Sequence, residues 1–106
     1  MGKDKLRRFR ENLTFDCFVQ PEFDEVFHCD HPLKGRWRSD FFRNDNPIVL
    51  ELGCGKGEYT VALAEHDPSR NYIGIDIKGA RMWRGAKSVT ERKIANAGFL
   101  RTRVEF

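Results

Sequence analysis

The sequence predicts an α/β fold in which parallel strands alternate with helices. Three observations predict it. Ile48 to Leu52 is apolar and β-prone apart from Glu51, and the run is continuous rather than alternating, which suits a strand covered on both faces. The run ends in Gly53-Cys54-Gly55-Lys56-Gly57 and passes straight into a helical pattern. A second run, Asn71 to Asp76, follows that helix and ends on an acid, about twenty residues beyond Gly57, the spacing of a βαβ unit. With a third run, the strands fall near 48–53, 71–76 and 99–105, and β-α-β-α-β is half of a doubly wound sheet. Residues 47–106 therefore read as part of a ligand-binding domain, and 1–46 as a basic and aromatic extension that is mostly helical.

Residues 3–13, KDKLRRFRENL, space Leu6, Phe9 or Arg10, and Leu13 for one helix face. Lys3, Lys5, Arg7, Arg8 and Arg10 make it a basic amphipathic arm. It either lies on RNA or packs its apolar residues on the domain. Residues 14–33 hold Phe15, Phe18, Phe23 and Phe27, an aromatic density that asks for burial, with Pro21 breaking any long helix. His28 and His31 are three apart, but no second ligand pair accompanies them, so no metal site is expected. Residues 33–46 put Arg36, Trp37, Arg38, Phe41 and Phe42 in a short helix-compatible stretch, with Trp37 and Phe41 expected to pack. Asn44-Asp45-Asn46-Pro47 is turn chemistry leading into the sheet.

In the glycine loop, spacing discriminates among ligands. A dinucleotide fingerprint is G-x-G-x-x-G, whereas here Glu58 stands at the sixth position. The Gly-Lys-Ser/Thr ending of a P-loop is absent too. Glu51 places negative charge beside the ligand, which suits cationic or donor groups such as the amino group and sulfonium of S-adenosylmethionine. Asp76 can accept from the two ribose hydroxyls of a nucleoside. Cys54 is a spacer between glycines, with no base that would make it a nucleophile.

Tyr59 to His66 forms the helix after the loop, ended by Asp67-Pro68-Ser69. Residues 78–97 form the next, with Trp83, Ala86, Thr90, Ile94 and Ala97 on one side and Lys78, Arg81, Arg84, Ser88 and Arg92 on the other. Gly98 suits the position after its last turn.

The chain has 106 residues, 40% of them hydrophobic, which allows one small domain. Three cysteines, Cys17, Cys29 and Cys54, lie far apart with no CxxC, so free thiols in a cytoplasmic protein are expected. No apolar run reaches the roughly eighteen residues of a membrane span, and no membrane partner is expected. Net charge is +3 but unevenly spread: eight Lys and Arg against Glu91 alone between Lys78 and Arg103. That excess attracts polyanions, nucleic acid first among them.

E-x-G-x-G-x-G after an apolar strand resembles the class I S-adenosylmethionine-dependent methyltransferases, whose sheet is Rossmann-like. Asp76-Ile77-Lys78-Gly79-Ala80-Arg81-Met82-Trp83-Arg84-Gly85-Ala86, with ENLTFDCFVQPEF (11–23) and LKGRWRSDFF (33–42), narrows this to a resemblance to the bacterial tRNA (guanine-N7-)-methyltransferases. The resemblance implies methyl transfer to N7 of a variable-loop guanosine in tRNA. It makes Glu51, Gly53, Gly55, Gly57 and Asp76 the cofactor contacts, and Lys5, Arg8, Arg81 and Arg84 candidate RNA contacts. The family's Gly-Asp-Ala-like segment after the third strand is here Thr102-Arg103-Val104-Glu105. Its Pro-Asp-Pro-Trp-Pro motif would lie beyond Phe106, so no catalytic residue is assigned, and the chain is expected to be the N-terminal part of a longer protein. Alternatives are a methyltransferase of the same class with another substrate, and a non-catalytic nucleic-acid-binding module.

Overall fold

The computed structural model describes residues 2–20 and 36–102. In chain order these form α1 (Gly2–Asn12), β1 (Phe18–Val19), a π-helical turn (Trp37–Phe42), β2 (Ile48–Leu52), α2 (Glu58–His66), β3 (Asn71–Asp76), α3 (Gly79–Arg92) and β4 (Ala97–Arg101). The four strands make one parallel sheet in the order β1-β4-β3-β2. The α/β expectation holds. His28, Cys29 and His31, with Phe23 and Phe27, lie outside the described residues.

Side chains leave each strand on alternate faces, and both faces find cover. On one face, Tyr72, Ala97 and Phe99 pack under Val61 and Ala64 of α2 and Met82, Ala86 and Val89 of α3, with Phe15 and Phe18 closing the end. On the other, Ile73 and Ile75 meet Phe42, with Trp37, Phe41, Ile48 and Leu100 around them. Two-sided burial holds along β3, from Tyr72 to Ile75. Asn71 is buried as well, because its side chain exchanges hydrogen bonds with that of Asn44 at 2.7 and 3.3 Å. The Asn44–Pro47 turn is thereby fastened to the start of the sheet.

β2 lies at the edge of the described sheet. The cover on both faces expected for its apolar run is not found among the described residues: Leu50 and Leu52, which share a face with Ile48, are 55% and 58% exposed.

Several elements differ from the sequence reading. A fourth strand, β1, joins the sheet through Phe18↔Phe99 and Val19↔Leu100. At two residues it is too short to leave a periodicity. The helix expected over 78–97 stops at Arg92, where Lys93 takes the left-handed conformation at φ 54° and its amide reaches Val89 and Thr90 carbonyls. A lysine tolerates that conformation at roughly 1–2 kcal/mol. Gly98, no longer needed to end the helix, lies in β4, where an added Cβ would meet the Phe41 ring at 2.6 Å. The strand expected at 99–105 consequently starts earlier, at Ala97, and residues 103–106 are outside those described.

The buried stripe of α3 is also rotated from the expected one. It runs through Met82, Ala86 and Val89, while Trp83 is half-buried and Thr90 exposed. Trp83 serves instead as a platform for α1. Its indole N–H donates to Glu11 Oε1 at 2.6 Å, and the guanidiniums of Arg7 and Arg8 lie 5.5 and 4.6 Å from its ring centre. Asn12 is fully buried and donates to Gly79 O at 3.0 Å. α1 therefore docks through polar and cation–π contacts. Leu6 and Leu13, which would anchor it under the packing alternative, are 59% and 78% exposed.

Candidate functional site

The glycine loop sits at the C-terminal ends of β2 and β3, where open α/β sheets carry their ligands. Its shape follows from three glycines at positive φ: Gly53 at 70°, Gly55 at 56° and Gly57 at 77°. Such values cost little without a Cβ. The first turn folds over the end of β3, with Gly53 N and Cys54 N both donating to Ile75 O at 2.7 and 3.1 Å. Gly57 N then donates to Cys54 O at 2.9 Å, and α2 begins at Glu58 with no side-chain cap on its first amides. Those amides are open donors at the positive end of the helix.

The glycines divide by role. An added Cβ at Gly53 or Gly55 would meet nothing within 4 Å, so the space beside the loop is open to a ligand. At Gly57 it would strike the Phe99 ring at 2.5 Å. At Gly85 of α3 it would come within 2.6 Å of Phe99 Cζ, 3.0 Å of Lys56 O and 3.1 Å of Gly57 Cα. Gly85 N donates to Lys56 O at 2.9 Å. Close packing of loop on helix is thus supplied by Gly57 with Gly85, which is why Glu58 can occupy the sixth position of the pattern and remain exposed.

Two carboxylates flank the loop. Asp76 Oδ2 accepts from Gly55 N at 2.9 Å, while Oδ1 accepts from Ile77 N at 2.7 Å and Lys78 N at 3.2 Å. Burial alone would raise its pKa, but those backbone donors, with the Arg81 charge, outweigh burial and hold Asp76 below the usual carboxylate range. Asp76 thus ties the loop to β3, and Oδ2 keeps acceptor capacity for a further donor.

Glu51 is different. It is half-buried, and its Oε2 is buried without a hydrogen-bond partner among the described residues. Burial pushes its carboxyl up; the nearby Thr60 hydroxyl opposes that, although no hydrogen bond of ordinary geometry joins them. Cys54 is buried beneath the loop, and burial, helped by the negative charges of Asp76 and Glu51, pushes its thiol up to about 12. A thiol so hard to ionise has no nucleophilic role.

The fold thus brings Glu51, Gly53, Gly55, Gly57 and Asp76 to one sheet end. The basic candidates are dispersed around it. Arg81 is exposed and its charge reaches Asp76. Arg84 is exposed and pairs with Glu58 at 3.8 Å. Lys5 is exposed on α1, its ammonium 5.9 Å from the Phe9 ring centre, and Arg8 lies over Trp83. Sequence reasoning missed Thr60, Gly74, Gly85 and Phe99. Thr60, a fully buried hydroxyl in the apolar run Tyr59-Thr60-Val61-Ala62-Leu63-Ala64, carried a readable signal. Among the described residues no three His, Cys, Asp or Glu cluster as metal ligands, and no helix is long and apolar enough to cross a membrane.

Residues 45–104 match the model of a family described as "Putative methyltransferase". A tRNA (guanine-N(7)-)-methyltransferase of Christiangramia forsetii is 57% identical over 98% of this chain and 46% of its own length. The enzyme of that name in Bacteroides fragilis is 47% identical over 99% of the chain and 42% of its own length. The chain thus spans just under half the length of these curated relatives. A solved structure described as an antibiotic-related methyltransferase superposes with a TM-score of 0.58 at 22% identity, covering 64% of this chain and 36% of that one, a likeness of fold.

Proposed function

The chain belongs to the methyltransferase family matched over residues 45–104, and from that premise we propose that it forms the S-adenosylmethionine-binding part of an enzyme that methylates guanine N7 in the variable loop of tRNA. One observation carries the cofactor reading: two carboxylates, Glu51 and Asp76, flank a turn whose Gly53 and Gly55 leave open space at the ends of the strands. The residues fit the group. Glu51 offers a carboxylate to the amino group and sulfonium, the spare capacity of Asp76 Oδ2 suits a ribose hydroxyl, and the uncapped start of α2 supplies backbone donors. Gly57, packed by Gly85 and Phe99, holds the loop in register with both acids.

S-adenosylmethionine supplies an electrophilic methyl group when bound. Guanine N7 carries a free lone pair, so the chain needs to orient the reactants and exclude water rather than remove a proton. The names of the relatives support the substrate. Lys5, Arg81 and Arg84, exposed on α1 and α3, are proposed phosphate contacts, with Arg8 offering what Trp83 leaves open of its guanidinium. No residue of the chain is assigned to catalysis.

The test uses the intact gene product, isotope-labelled S-adenosylmethionine and tRNA lacking N7-methylguanosine, with the labelled base mapped by mass spectrometry. Label at the variable-loop guanosine is expected. Cofactor binding without label would overturn the substrate, and cofactor affinity unchanged in both Glu51→Ala and Asp76→Ala would overturn the site.

A further inference from the structure

Thr60 is fully buried on α2, and among the described residues its Oγ1 has no hydrogen-bond partner. Glu51 Oε2, on the neighbouring strand, is likewise buried and unpartnered. An unsatisfied buried polar atom is costly, and a donor and an acceptor on adjoining elements are each other's remedy. The packing around them is arranged for the hydroxyl. Gly74 stands opposite Glu51 in the β2–β3 register, and a Cβ there would come within 2.9 Å of Thr60 Oγ1 and 3.0 Å of Cys54 Sγ. The missing side chain of Gly74 is therefore the space that Thr60 Oγ1 occupies.

We propose that Thr60 is the positioning residue of Glu51: a small turn of either side chain lets Thr60 Oγ1–H donate to Glu51 Oε2, which satisfies both buried atoms and fixes the carboxylate with its open side toward the ligand. The inference rests on the reading of Glu51 as a cofactor contact. The burial of Glu51 makes such a donor valuable. Of the groups nearby, Asp76 of β3 is held ionised and Cys54 of the loop stays a neutral thiol. β3 faces Glu51 with the uncharged Gly74. Glu58 of α2 is exposed and turned to Arg84 at 3.8 Å, so Thr60 is the group that α2 directs at the carboxylate.

The experiment titrates the Glu51 carboxyl by carbon-13 NMR in the intact, cofactor-free protein, with the signal assigned from Glu51→Gln. Thr60→Val removes the hydroxyl at nearly constant shape, and Thr60→Ser retains it. The valine variant should titrate about one pH unit higher than wild type, with the serine variant restoring most of the shift. S-adenosylmethionine affinity at neutral pH should fall roughly tenfold in Thr60→Val and recover in Thr60→Ser. Thr60→Ala serves the same comparison should valine not fit beside Gly74. An unmoved midpoint in the hydroxyl-free variants would overturn the proposal, even where Glu51→Gln weakens the cofactor. If Glu51→Gln left affinity unchanged, the cofactor reading would fall, and the titration alone would decide the pairing.

Discussion

Gly85→Ala separates packing from helix propensity, because the two act in opposite directions. Alanine in a helix interior gains about 1 kcal/mol over glycine, so propensity alone predicts a more stable protein. The surroundings predict otherwise. The new Cβ would lie 2.6 Å from Phe99 Cζ, 3.0 Å from Lys56 O and 3.1 Å from Gly57 Cα. Two of those three neighbours are backbone, and Phe99 is fully buried with no room to swing away. Overpacking of this kind costs about 1–3 kcal/mol, toward the upper end where backbone must move. The net expectation is a loss of about 1–2 kcal/mol, read as a lower urea midpoint at unchanged slope in the intact protein. Because the displaced atoms belong to Lys56 and Gly57, cofactor affinity should fall as well. Phe99→Leu in the same molecule should relieve the clash, leaving the double variant less destabilised than the sum of the singles by about 1 kcal/mol. A Gly85→Ala protein as stable as wild type, or more so, would refute the close packing of loop on helix.

Further outcomes follow from the same geometry. Gly53→Ala, with φ 70° and open space, should cost only the strain of about 1–2 kcal/mol, whereas Gly57→Ala adds a Phe99 contact at 2.5 Å and should lower the urea midpoint clearly further; equal losses would contradict the division of roles. Asp76 is held low, so its contribution to stability is present above the ordinary carboxylate pKa and lost as pH falls through the lowered one, and urea midpoints of Asp76→Asn should vary less with acid than those of wild type. Glu51 is raised, so its contribution is present below the ordinary value and lost as pH rises through the raised one; Glu51→Gln should remove that decline. Cys54, with a pKa of about 12, should resist alkylation at pH 8 until the protein unfolds, and native labelling faster than at the half-exposed Cys17 would be the contrary result. If the substrate reading is right, Arg81→Gln and Arg84→Gln should each reduce the salt slope of tRNA binding by about one.

The parts legible from sequence were those whose physics is local. β3 is legible with its bounds because the run from Asn71 ends on Asp76 at the spacing of a βαβ unit, and α2 because Asp67-Pro68 closes it. The glycine loop was legible because positive φ leaves few residue choices. Gly98 was misread because a glycine after a helical pattern signals both a helix end and a close approach, and only the Phe41 ring decides between them. Trp83 was misplaced because its partners, Glu11 and two arginines, come from a helix far away in sequence. Thr60 and Gly85 stayed hidden for the same reason: their meaning lies in Glu51, Gly74 and Phe99, which reach them only through the tertiary fold.

The strand order has a kinetic consequence. β2, α2, β3, α3 and β4 follow one another in the chain and pair with near neighbours, so they can assemble as soon as each is made. β1 cannot: its partner is β4, and Phe18 waits for Phe99 across nearly the whole chain. α1 waits too, because Asn12 and Glu11 are held by Gly79 and Trp83. During synthesis α1 and β1 therefore leave the ribosome before the partners that hold them are made. Closing so long a loop costs conformational entropy that the finished βαβ core must already be stable enough to offset. A newly made chain should pass through a stage in which the sheet is formed while Phe15, Phe18 and the basic helix remain undocked.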